Sequence, residues 1–284
     1  MIKLTKMKKI VTHINPDLDA VASVWLILRF LPGWQEAEID FCPAGETLEN
    51  EPADVDEDVL YVDTGLGRLD HHQTSEYLSA ARLCLDYVVE KRRGKQLSLL
   101  NEEALGRMVE VVTQVDNARD LNWKEVGAAR HDFYLHNIIG GIRGMAGSDQ
   151  ETMDHGLKAL DAVFHNLKNR IRAEEEIKNG VEFKTPWGKA LAVETGNEQV
   201  LWEGEKAGYC LVVKKDPKEG GVRIYSRWDT DVDLTKVYNK VRKLDPESDW
   251  FLHSSKKLLL NAASGKKMQP TKLSLKEMME VLGK

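Results

Sequence analysis

Acidic and histidine side chains cluster in the first 120 residues, and several of them follow short apolar runs. Together they offer five carboxylates and three imidazoles, at His13, Asp17, Asp19, Asp63, Asp70, His71, His72 and Asp116. Carboxylate oxygen and imidazole nitrogen suit manganese, magnesium, iron or zinc, whereas the lack of a cysteine in the cluster argues against a structural zinc site. A single aspartate after a strand is more often a turn or cap residue. The metal hypothesis therefore depends on the conjunction of these residues.

The spacing within the cluster favours two ions rather than one. Asp17 and Asp19 lie two residues apart in a loop after Pro16, so that their carboxylates can point to different ions. Asp63 at a strand tip could bridge those ions. Two divalent ions about 4 Å apart can bind a phosphoryl group, lower the pKa of a bridging water and stabilise the leaving oxygen. The sequence therefore predicts a divalent-metal-dependent phosphoesterase that works by in-line attack of a metal-bound hydroxide.

Strands and helices alternate around the cluster. Apolar runs at 7–13 and 59–62 are predicted strands that end on or next to His13 and Asp63. Helical periodicity predicts helices at 20–30, at 76–93 with Tyr77 on its buried stripe and Gly94 at its end, and at 101–119 with Asn101 as N-cap. This alternation favours a parallel sheet with helices on both faces, in which ligands bind at the carboxyl ends of the strands.

The second half of the chain has a different pattern. Ser148 and Glu151 form a predicted capping box that opens a helix reaching Lys178. Residues 181–230 contain β-like runs separated by Gly and Pro turns, and helices are predicted at 234–243 and 274–282. The predicted fold class is α/β: an N-terminal parallel-sheet domain with flanking helices (1–170) and a smaller C-terminal α/β domain (180–284). A long helical connector joins them, with the boundary near residue 175.

Composition excludes several classes of protein. With 284 residues, 42% hydrophobic and 30% charged, the chain is typical of a water-soluble globular protein. The longest apolar stretch, Val21–Leu31, is too short to span a bilayer and carries Arg29. The net charge of −6 argues against generic duplex binding. Three distant cysteines and no secretory signal favour a cytoplasmic protein without a membrane partner, and a homodimer is left open.

Three segments carry a resemblance to a known family. HINPDLDA, VDTGLGRLDHHQT and TQVD follow one another in the order of the motifs of the DHH phosphoesterase superfamily, which the chain resembles over residues 8–120. The resemblance implies a two-domain enzyme that uses two Mn²⁺ or Mg²⁺ ions and binds its substrate in the cleft between the domains. It also implies two ligand sets, one of His13, Asp17 and Asp63 and the other of Asp19, Asp63, His71 and Asp116. By the same resemblance His72 faces the substrate phosphate and Asp70 orients the histidines, so that Asp63, His72 and Asp70 are the candidate catalytic residues.

The sequence resembles more than one branch of the superfamily. The first motif is similar to that of family II inorganic pyrophosphatases, whose Ser-Arg-Lys-Lys-Gln signature is partly matched by Ser254–Leu258. The seven-residue spacing from Asp63 to Asp70, followed by Gln73, is closer to the melanocyte-proliferating-gene family of exonuclease-like proteins. Residues 262–265 (AASG) stand where many family exonucleases have Gly-Gly-His. The preferred substrate is a short single-stranded oligonucleotide or a nucleotide. An inorganic pyrophosphatase and a catalytically inactive metal-binding scaffold remain alternatives.

Candidate phosphate ligands occur in the second domain. They are Arg227, His253, Lys256 and Lys257, with Gly265–Lys267 as a further small and basic segment. Arg227 and His253 rank above the lysines because each follows an apolar β-like run, and arginine can bind phosphate through two donors. Core packing is the expected role of Trp228 and Trp250, although either could stack a base.

Two other sequence patterns are weaker evidence for a functional site. His131 and His136 lie five residues apart, a spacing that is poor for shared ligation on one helix. The glycine-rich segment 140–144 lacks the flanking strand and Lys-Ser/Thr of a phosphate loop, so that a hinge or turn is predicted there.

Overall fold

The computed structural model of the chain describes residues 7–92, 96–145, 147–261 and 268–283. The chain divides into two units, Met1–Lys168 and Asn169–Lys284. Each unit has its own sheet with helices packed against it. Within the described ranges, no helix combines the length and the apolar character that crossing a bilayer requires.

A three-stranded parallel sheet forms the centre of the first unit. Its strands are β1 (Lys9–His13), β2 (Glu38–Cys42) and β3 (Val59–Tyr61), in the order β2-β1-β3. Ile10 and Val11 on successive positions of β1 are both fully buried, as expected for a central strand covered on both faces. The predicted parallel sheet is thus confirmed, and its carboxyl ends share one edge.

Five helices accompany this sheet: α1 (Leu18–Phe30), α2 (Ala80–Lys91), α3 (Leu99–Asp116), α4 (Leu135–Gly144) and α5 (Asp149–Lys178), the last of which continues into the second unit. All of α1 except Arg29 is buried, because other elements pack around it on every side. The central place of α1 explains its continuous apolar sequence, which an exposed amphipathic helix would not have.

A polar contact at the edge of the core joins α1 to α5. Gly156 of α5 lies against Val21, where any β-carbon would come within 2.6 Å of the valine side chain, so the helices approach closely. The carboxylate of Asp161 accepts a hydrogen bond from the Trp25 indole N–H (2.8 Å) and two from the Arg29 guanidinium (2.9 and 2.8 Å). Trp25 is only 1% exposed, so its N–H group depends on this acceptor.

Replacing Asp161 with alanine is expected to lower the free energy of unfolding by about 2 kcal/mol, because the buried indole N–H loses its acceptor. Urea titration followed by tryptophan fluorescence and circular dichroism measures the change. Asp154→Ala is the matched control, since Asp154 is an exposed aspartate on the same helix, and it should cost no more than about 0.5 kcal/mol. Equal losses in the two variants would contradict this account of the helix contact.

A six-stranded mixed sheet forms the second unit. Its strands are β4 (Val181–Thr185), β5 (Gly188–Glu194), β6 (Leu211–Lys215), β7 (Val222–Ser226), β8 (Trp250–Leu252) and β9 (Leu258–Asn261). The order is β4-β5-β6-β7-β9-β8, and β5 and β6 are parallel whereas the other neighbours are antiparallel. Three helices pack here: α6 (Gln199–Lys206), α7 (Thr235–Leu244) and α8 (Leu275–Leu282). The predicted Ser274–Glu277 capping box at the start of α8 is confirmed.

Two helix starts differ from the sequence predictions. Helix α2 begins at Ala80 rather than residue 76, because the Ser79 hydroxyl caps it by accepting from the Arg82 N–H. Tyr77 therefore lies before the helix and is 37% exposed, while the predicted end at Gly94 falls outside the described residues. The N-cap of α3 is Ser98, not Asn101, because the Ser98 hydroxyl accepts from the Asn101 N–H.

Two further predictions were wrong. The segment 140–144 is part of α4 rather than a hinge, since packing of the helix through its buried residue Ile139 outweighs the low helix propensity of glycine. Trp228 is 81% exposed, whereas Trp250 is 8% exposed and belongs to the core of the second unit. Trp228 follows β7 in a turn, where none of the described elements of the unit covers it.

Candidate metal centre

The six predicted metal ligands meet at the carboxyl edge of the parallel sheet. His13 ends β1, Asp17 and Asp19 stand at the start of α1, Asp63 follows β3, His71 lies in the loop after it, and Asp116 ends α3. Most of these ligands therefore stand at the end of a strand or helix. Three overlapping groups of donor atoms within 4.8 Å result: His13 with Asp17 and Asp63, Asp63 with His71 and His72, and Asp19 with His71 and Asp116.

Asp63 lies at the centre of this cluster and faces two histidines with its two oxygens. Its Oδ2 is 3.3 Å from His13 Nε2, and its Oδ1 is 3.5 Å from His71 Nε2. The residue is 2% exposed and has a left-handed φ of +56°. Such a conformation costs about 1 kcal/mol or more outside glycine and persists where the surroundings impose it, often at functional sites. This placement suits a carboxylate that bridges two ions.

The remaining separations have the length expected around a bound ion. Asp17 is 3.9 Å from His13, and Asp19 and Asp116 are 3.7 and 3.6 Å from His71, measured between carboxylate oxygen and Nε2. These distances exceed those of ordinary hydrogen bonds. Ligands about 2.0–2.2 Å from one ion lie roughly 3–3.5 Å apart, so a small inward movement would complete the coordination.

Unpaired buried atoms also fit a metal. Asp63 Oδ1 and His71 Nε2 are buried and have no hydrogen-bond partner among the residues that the structure describes. A buried polar atom without a partner costs free energy, and a cation would satisfy both atoms at once. The Nδ1–H of His13 donates to the Ile14 carbonyl (2.8 Å), which directs the Nε2 lone pair towards Asp17 and Asp63. The residues present therefore fit divalent ions.

Asp19 and Asp17 also hold helix termini. The two oxygens of Asp19 accept from the Ala80 and Ala81 N–H groups at the start of α2, at 2.7 and 2.8 Å. Asp17 accepts from the Asp19 and Ala20 N–H groups and so caps α1. These bonds orient both carboxylates before any ion binds, which reduces the reorganisation that binding requires.

Asp70 and His72 form a hydrogen-bonded pair beside the ligands. Asp70 is 1% exposed and accepts from His72 Nδ1 (2.6 Å), the His72 N–H (3.1 Å) and the Leu66 N–H (2.8 Å). The His72 side chain is 55% exposed, and its Nδ1 lies 3.8 Å from Asp63 Oδ1. Asp70 thus holds an accessible imidazole at the edge of the cluster.

The charges of the cluster raise the proton affinity of its histidines. Burial lowers the pKa of His13, but hydrogen bonding to Asp63 and Ile14 and the charges of Asp63 and Asp17 together outweigh burial, and the pKa rises to about 9. The nearby Asp63 carboxylate raises the pKa of His71 to about 9 as well. Burial raises the pKa of Asp63, but both histidines more than compensate and lower it to about 2. Burial, followed by the charges of neighbouring aspartates, raises the pKa of Asp19, and burial raises that of Asp116 to about 6.

We expect Mn²⁺ affinity to rise with pH from 6 to 9. Below a pKa of about 9, His13 and His71 carry protons that an ion must displace, so binding releases protons and tightens by about tenfold per pH unit for each proton released. Below a pKa of about 6, Asp116 adds a further proton. Isothermal titration calorimetry in buffers of different ionisation enthalpy measures both affinity and proton release. An affinity that stays constant over this range would contradict these proton assignments.

In the second unit, the four predicted phosphate ligands lie in two turns that hydrogen-bond to each other. The Ser226 N–H donates to the Lys257 carbonyl at 2.9 Å, and the Leu234 N–H donates to the Lys256 carbonyl at 3.1 Å. Arg227 follows β7 and His253 follows β8, as predicted. The structure thus brings Arg227, His253, Lys256 and Lys257 into one region. Gly265–Lys267 and the 262–265 segment lie outside the described residues.

Most of these side chains already have partners. Arg227 makes a two-pronged ion pair with Asp229, at 2.9 and 2.6 Å. Lys256 pairs with Asp233 at 3.1 Å, and Lys257 donates to the Thr230 carbonyl. His253 Nδ1 lies 2.8 Å from the Ser255 hydroxyl. A phosphate at this region would therefore compete with carboxylates, and the adjacent Trp228 is its most exposed aromatic group.

A second histidine cluster was missed from the sequence. Asp120, His131 and His136 place donor atoms within 4.8 Å of one another. The spacing argument assumed that both histidines share one helix, whereas His131 lies in a 3₁₀ turn (Ala129–Phe133) and His136 lies in α4. Only the tertiary structure brings them together.

Comparison with known proteins gives matches among solved structures alone. No protein-family model and no curated protein matches the chain. The chain is similar to crystal structures of RecJ from Thermus thermophilus in complex with Mg²⁺ (14% identity, 90% of this chain and 47% of that chain, TM-score 0.30) and with Mn²⁺ (15%, 90% and 50%, 0.32). A structure of exonuclease RecJ bound to manganese has 12% identity, 97% and 89% coverage and a TM-score of 0.30. The chain spans about half the length of the first two.

Proposed function

We propose that the chain is a divalent-metal-dependent phosphoesterase of the DHH type. The observation that carries the proposal is the position of Asp63, whose two oxygens face His13 and His71 and whose Oδ1 is buried without a hydrogen-bond partner among the described residues. In this proposal residues 1–170 hold two Mn²⁺ or Mg²⁺ ions, and residues 180–284 bind the substrate.

The two ligand sets share Asp63. His13 and Asp17 complete one set, and Asp19, His71 and Asp116 complete the other. Divalent ions bound there would offset the charge of a phosphoryl group and make water acidic enough to attack phosphorus near neutral pH. Because Asp17 and Asp19 already hold helix termini, the protein presents these two donors in a fixed arrangement.

His72 is assigned to the substrate phosphate. Its Nδ1 is held by Asp70, so the ring has a fixed orientation, and its Nε2 is the nitrogen assigned to a phosphate oxygen. Hydrolysis forms a bond between water oxygen and phosphorus, with a water proton released to solvent, and breaks the bond from phosphorus to the ester oxygen, which then takes up a proton. His72 is the described residue beside the ligands that is best placed to supply that proton.

The proposed substrate is a short single-stranded oligonucleotide or a nucleotide. An exposed Trp228 directly follows Arg227 in the sequence, in the turn after β7. Bases stack on exposed aromatic rings, and phosphates bind arginine. Pyrophosphate has no base and would gain nothing from the tryptophan.

A hydrolysis panel tests the activity. Wild-type protein with Mn²⁺ is incubated with pyrophosphate, a cyclic dinucleotide, a phosphorylated mononucleotide, and RNA and DNA oligomers labelled at either end. Successive shortening of an oligomer establishes an exonuclease, and the label gives its direction. Release of orthophosphate from pyrophosphate alone would establish a pyrophosphatase instead. Inactivity on every substrate while Mn²⁺ is bound would favour the scaffold.

The role of Trp228 is tested separately. Trp228→Ala should raise the KM for the oligonucleotide about tenfold, as expected for the loss of one stacked base, without changing its kcat. Trp202→Ala is the control, because Trp202 is an exposed tryptophan (47%) on α6 of the same unit. If both variants have the same KM as the wild type, Trp228 does not contact the substrate.

A further inference from the structure

A second cluster of metal-ligand residues lies outside the centre described above. It consists of Asp120 in the turn Arg119–Asn122, His131 in the turn Ala129–Phe133, and His136 in the first turn of α4. All three belong to the connection between α3 and α4 in the first unit. We propose that this cluster is a separate binding site for a zinc-class transition-metal ion, held by Asp120, His131 and His136.

Burial is the first observation behind this proposal. Asp120 is 7% exposed and His131 is 8% exposed, and the His136 side chain is 14% exposed. The Nε2 atoms of both histidines are buried and lack a hydrogen-bond partner among the described residues. Two buried imidazole nitrogens directed at one buried carboxylate, with no hydrogen bond to either, are costly unless a cation lies between them.

The distances agree with such an ion. Asp120 Oδ2 lies 3.5 Å from His136 Nε2 and 3.9 Å from His131 Nε2. These separations are too long for hydrogen bonds and close to the roughly 3.4 Å between neighbouring ligands of a tetrahedral zinc ion. They also match the 3.3–3.9 Å between histidines and aspartates of the first centre.

The residues around the cluster do not satisfy its histidines. Trp123 and Tyr134 lie beside both imidazoles, with ring centroids 5.0–6.4 Å away. Their polar atoms are bonded elsewhere, because the Trp123 N–H donates to Gln114 (3.2 Å) and the Tyr134 hydroxyl donates to Glu125 (2.9 Å). The aromatic rings thus supply no hydrogen bond to the Nε2 atoms of the two histidines.

The donor set favours a transition metal over Mg²⁺ or Ca²⁺. Two imidazoles with one carboxylate is a ligand set of zinc and related ions, whereas Mg²⁺ and Ca²⁺ prefer oxygen alone. Three protein ligands leave one coordination position for water. His136 also lines a cavity of about 520 Å³ together with Trp123, Phe133 and Tyr134, and this cavity can supply that water.

Asn137 controls the tautomer of His131. Its side-chain Nδ2 lies 3.0 Å from His131 Nδ1 and 3.0 Å from the His131 carbonyl, an arrangement that leaves the proton of the neutral ring on Nε2. Ligation through Nε2 requires the proton on Nδ1, which a rotated Asn137 amide accepts with its oxygen. Binding therefore couples to a 180° rotation of this amide, which gives up its hydrogen bond to the His131 carbonyl.

Co²⁺ is the probe for the site, because it replaces Zn²⁺ and absorbs visible light. The starting protein is the full chain with Asp63→Ala and His71→Ala, which weakens the first centre. It should bind one Co²⁺ per chain with a tetrahedral visible spectrum. Adding Asp120→Asn or His136→Gln should abolish that spectrum. Adding His155→Gln should not, since His155 is an exposed histidine on α5.

Folding is checked in every variant by circular dichroism. If the starting protein is unfolded, the zinc content of the wild-type protein is compared with that of the single variant His136→Gln. The variant is expected to contain one equivalent of zinc less than the wild type. A folded starting protein that binds no Co²⁺, or an unchanged spectrum or zinc content after His136→Gln, would overturn the proposal. Neither readout depends on hydrolysis, so failure here leaves the phosphoesterase proposal standing.

A second measurement separates the metal site from a merely packed histidine pair. Asn137→Asp should increase Co²⁺ affinity, because a carboxylate accepts the Nδ1–H of His131 without rotating. Asn137→Leu offers no acceptor and should decrease the affinity by about 10- to 100-fold. Identical affinities in both variants would contradict ligation through His131 Nε2.

Discussion

Replacing Asp63 with alanine is expected to reduce Mn²⁺-dependent hydrolysis by about a thousandfold or more. Asp63 faces both histidines of the centre, so its loss removes a ligand from both ion sites. Two-metal sites supply several kcal/mol of transition-state stabilisation, and each 1.4 kcal/mol corresponds to about tenfold in rate. The measurement is kcat/KM on the substrate identified by the hydrolysis panel, over a range of Mn²⁺ concentrations.

Asp86→Ala is the matched control for this prediction, because Asp86 is an exposed aspartate on α2 of the same unit. It should retain wild-type kcat/KM. If Asp63→Ala kept more than about a tenth of the wild-type activity while remaining folded, the cluster would not be the active site.

Mn²⁺ is expected to raise the thermal unfolding temperature of the first unit by roughly 5–10 °C for each bound ion. At one hundred times Kd, a ligand stabilises the folded state by about 2.7 kcal/mol, and a unit of this size gains roughly 2–4 °C per kcal/mol. The physical cause is the group of carboxylates around His71, since Asp19 and Asp63 are buried and Asp116 is half-buried, and a bound ion would offset their charge. Differential scanning calorimetry with Mn²⁺ and then with EDTA measures the shift and its reversal.

The same experiment on Asp63→Ala provides the comparison. The variant should lose most of the Mn²⁺-dependent shift, because both ion sites lack a ligand. A shift of wild-type size in the variant would show that Mn²⁺ stabilises the protein from another place.

Much of the first unit could be predicted because its sequence signals are local. The run that ends at His13 reads as a buried strand, and the strand that precedes Asp63 does so as well. Strand β2 was not predicted, because Glu38–Cys42 is a short run of five residues that is only partly buried, although its charged and apolar residues alternate as in a half-buried strand. Its parallel partner β1 places it in the sheet, which is a tertiary effect.

Prediction of the second unit was limited by tertiary contacts as well. Its first four strands were predicted from their apolar runs, as was the run before His253 that forms β8, whereas the four-residue β9 was not predicted and depends on pairing with β7 and β8. The glycines of α4 predict a turn by propensity alone, and the structure makes them helical. The exposure of Trp228 was equally hidden, because a single tryptophan carries no periodic pattern.

The two candidate metal sites also differ in how far the sequence could predict them. Most ligands of the first centre stand at predicted strand and helix termini, so the sequence could predict that these ligands lie close together. Asp120, His131 and His136 lie in or next to irregular turns, where no period relates one side chain to another. Only the path of the α3–α4 connection brings the three donors within 4.8 Å.

The most direct test of the central claim is the electron paramagnetic resonance spectrum of the Mn²⁺-loaded protein. The measurement uses the Asp120→Asn variant, so that the second cluster does not contribute an ion. Because Asp63 faces both ligand sets, we predict two Mn²⁺ per chain with a spectrum that shows exchange coupling between them, and loss of that coupling in Asp63→Ala. One Mn²⁺ per chain, or two with uncoupled spectra, would contradict a centre in which Asp63 joins two ions.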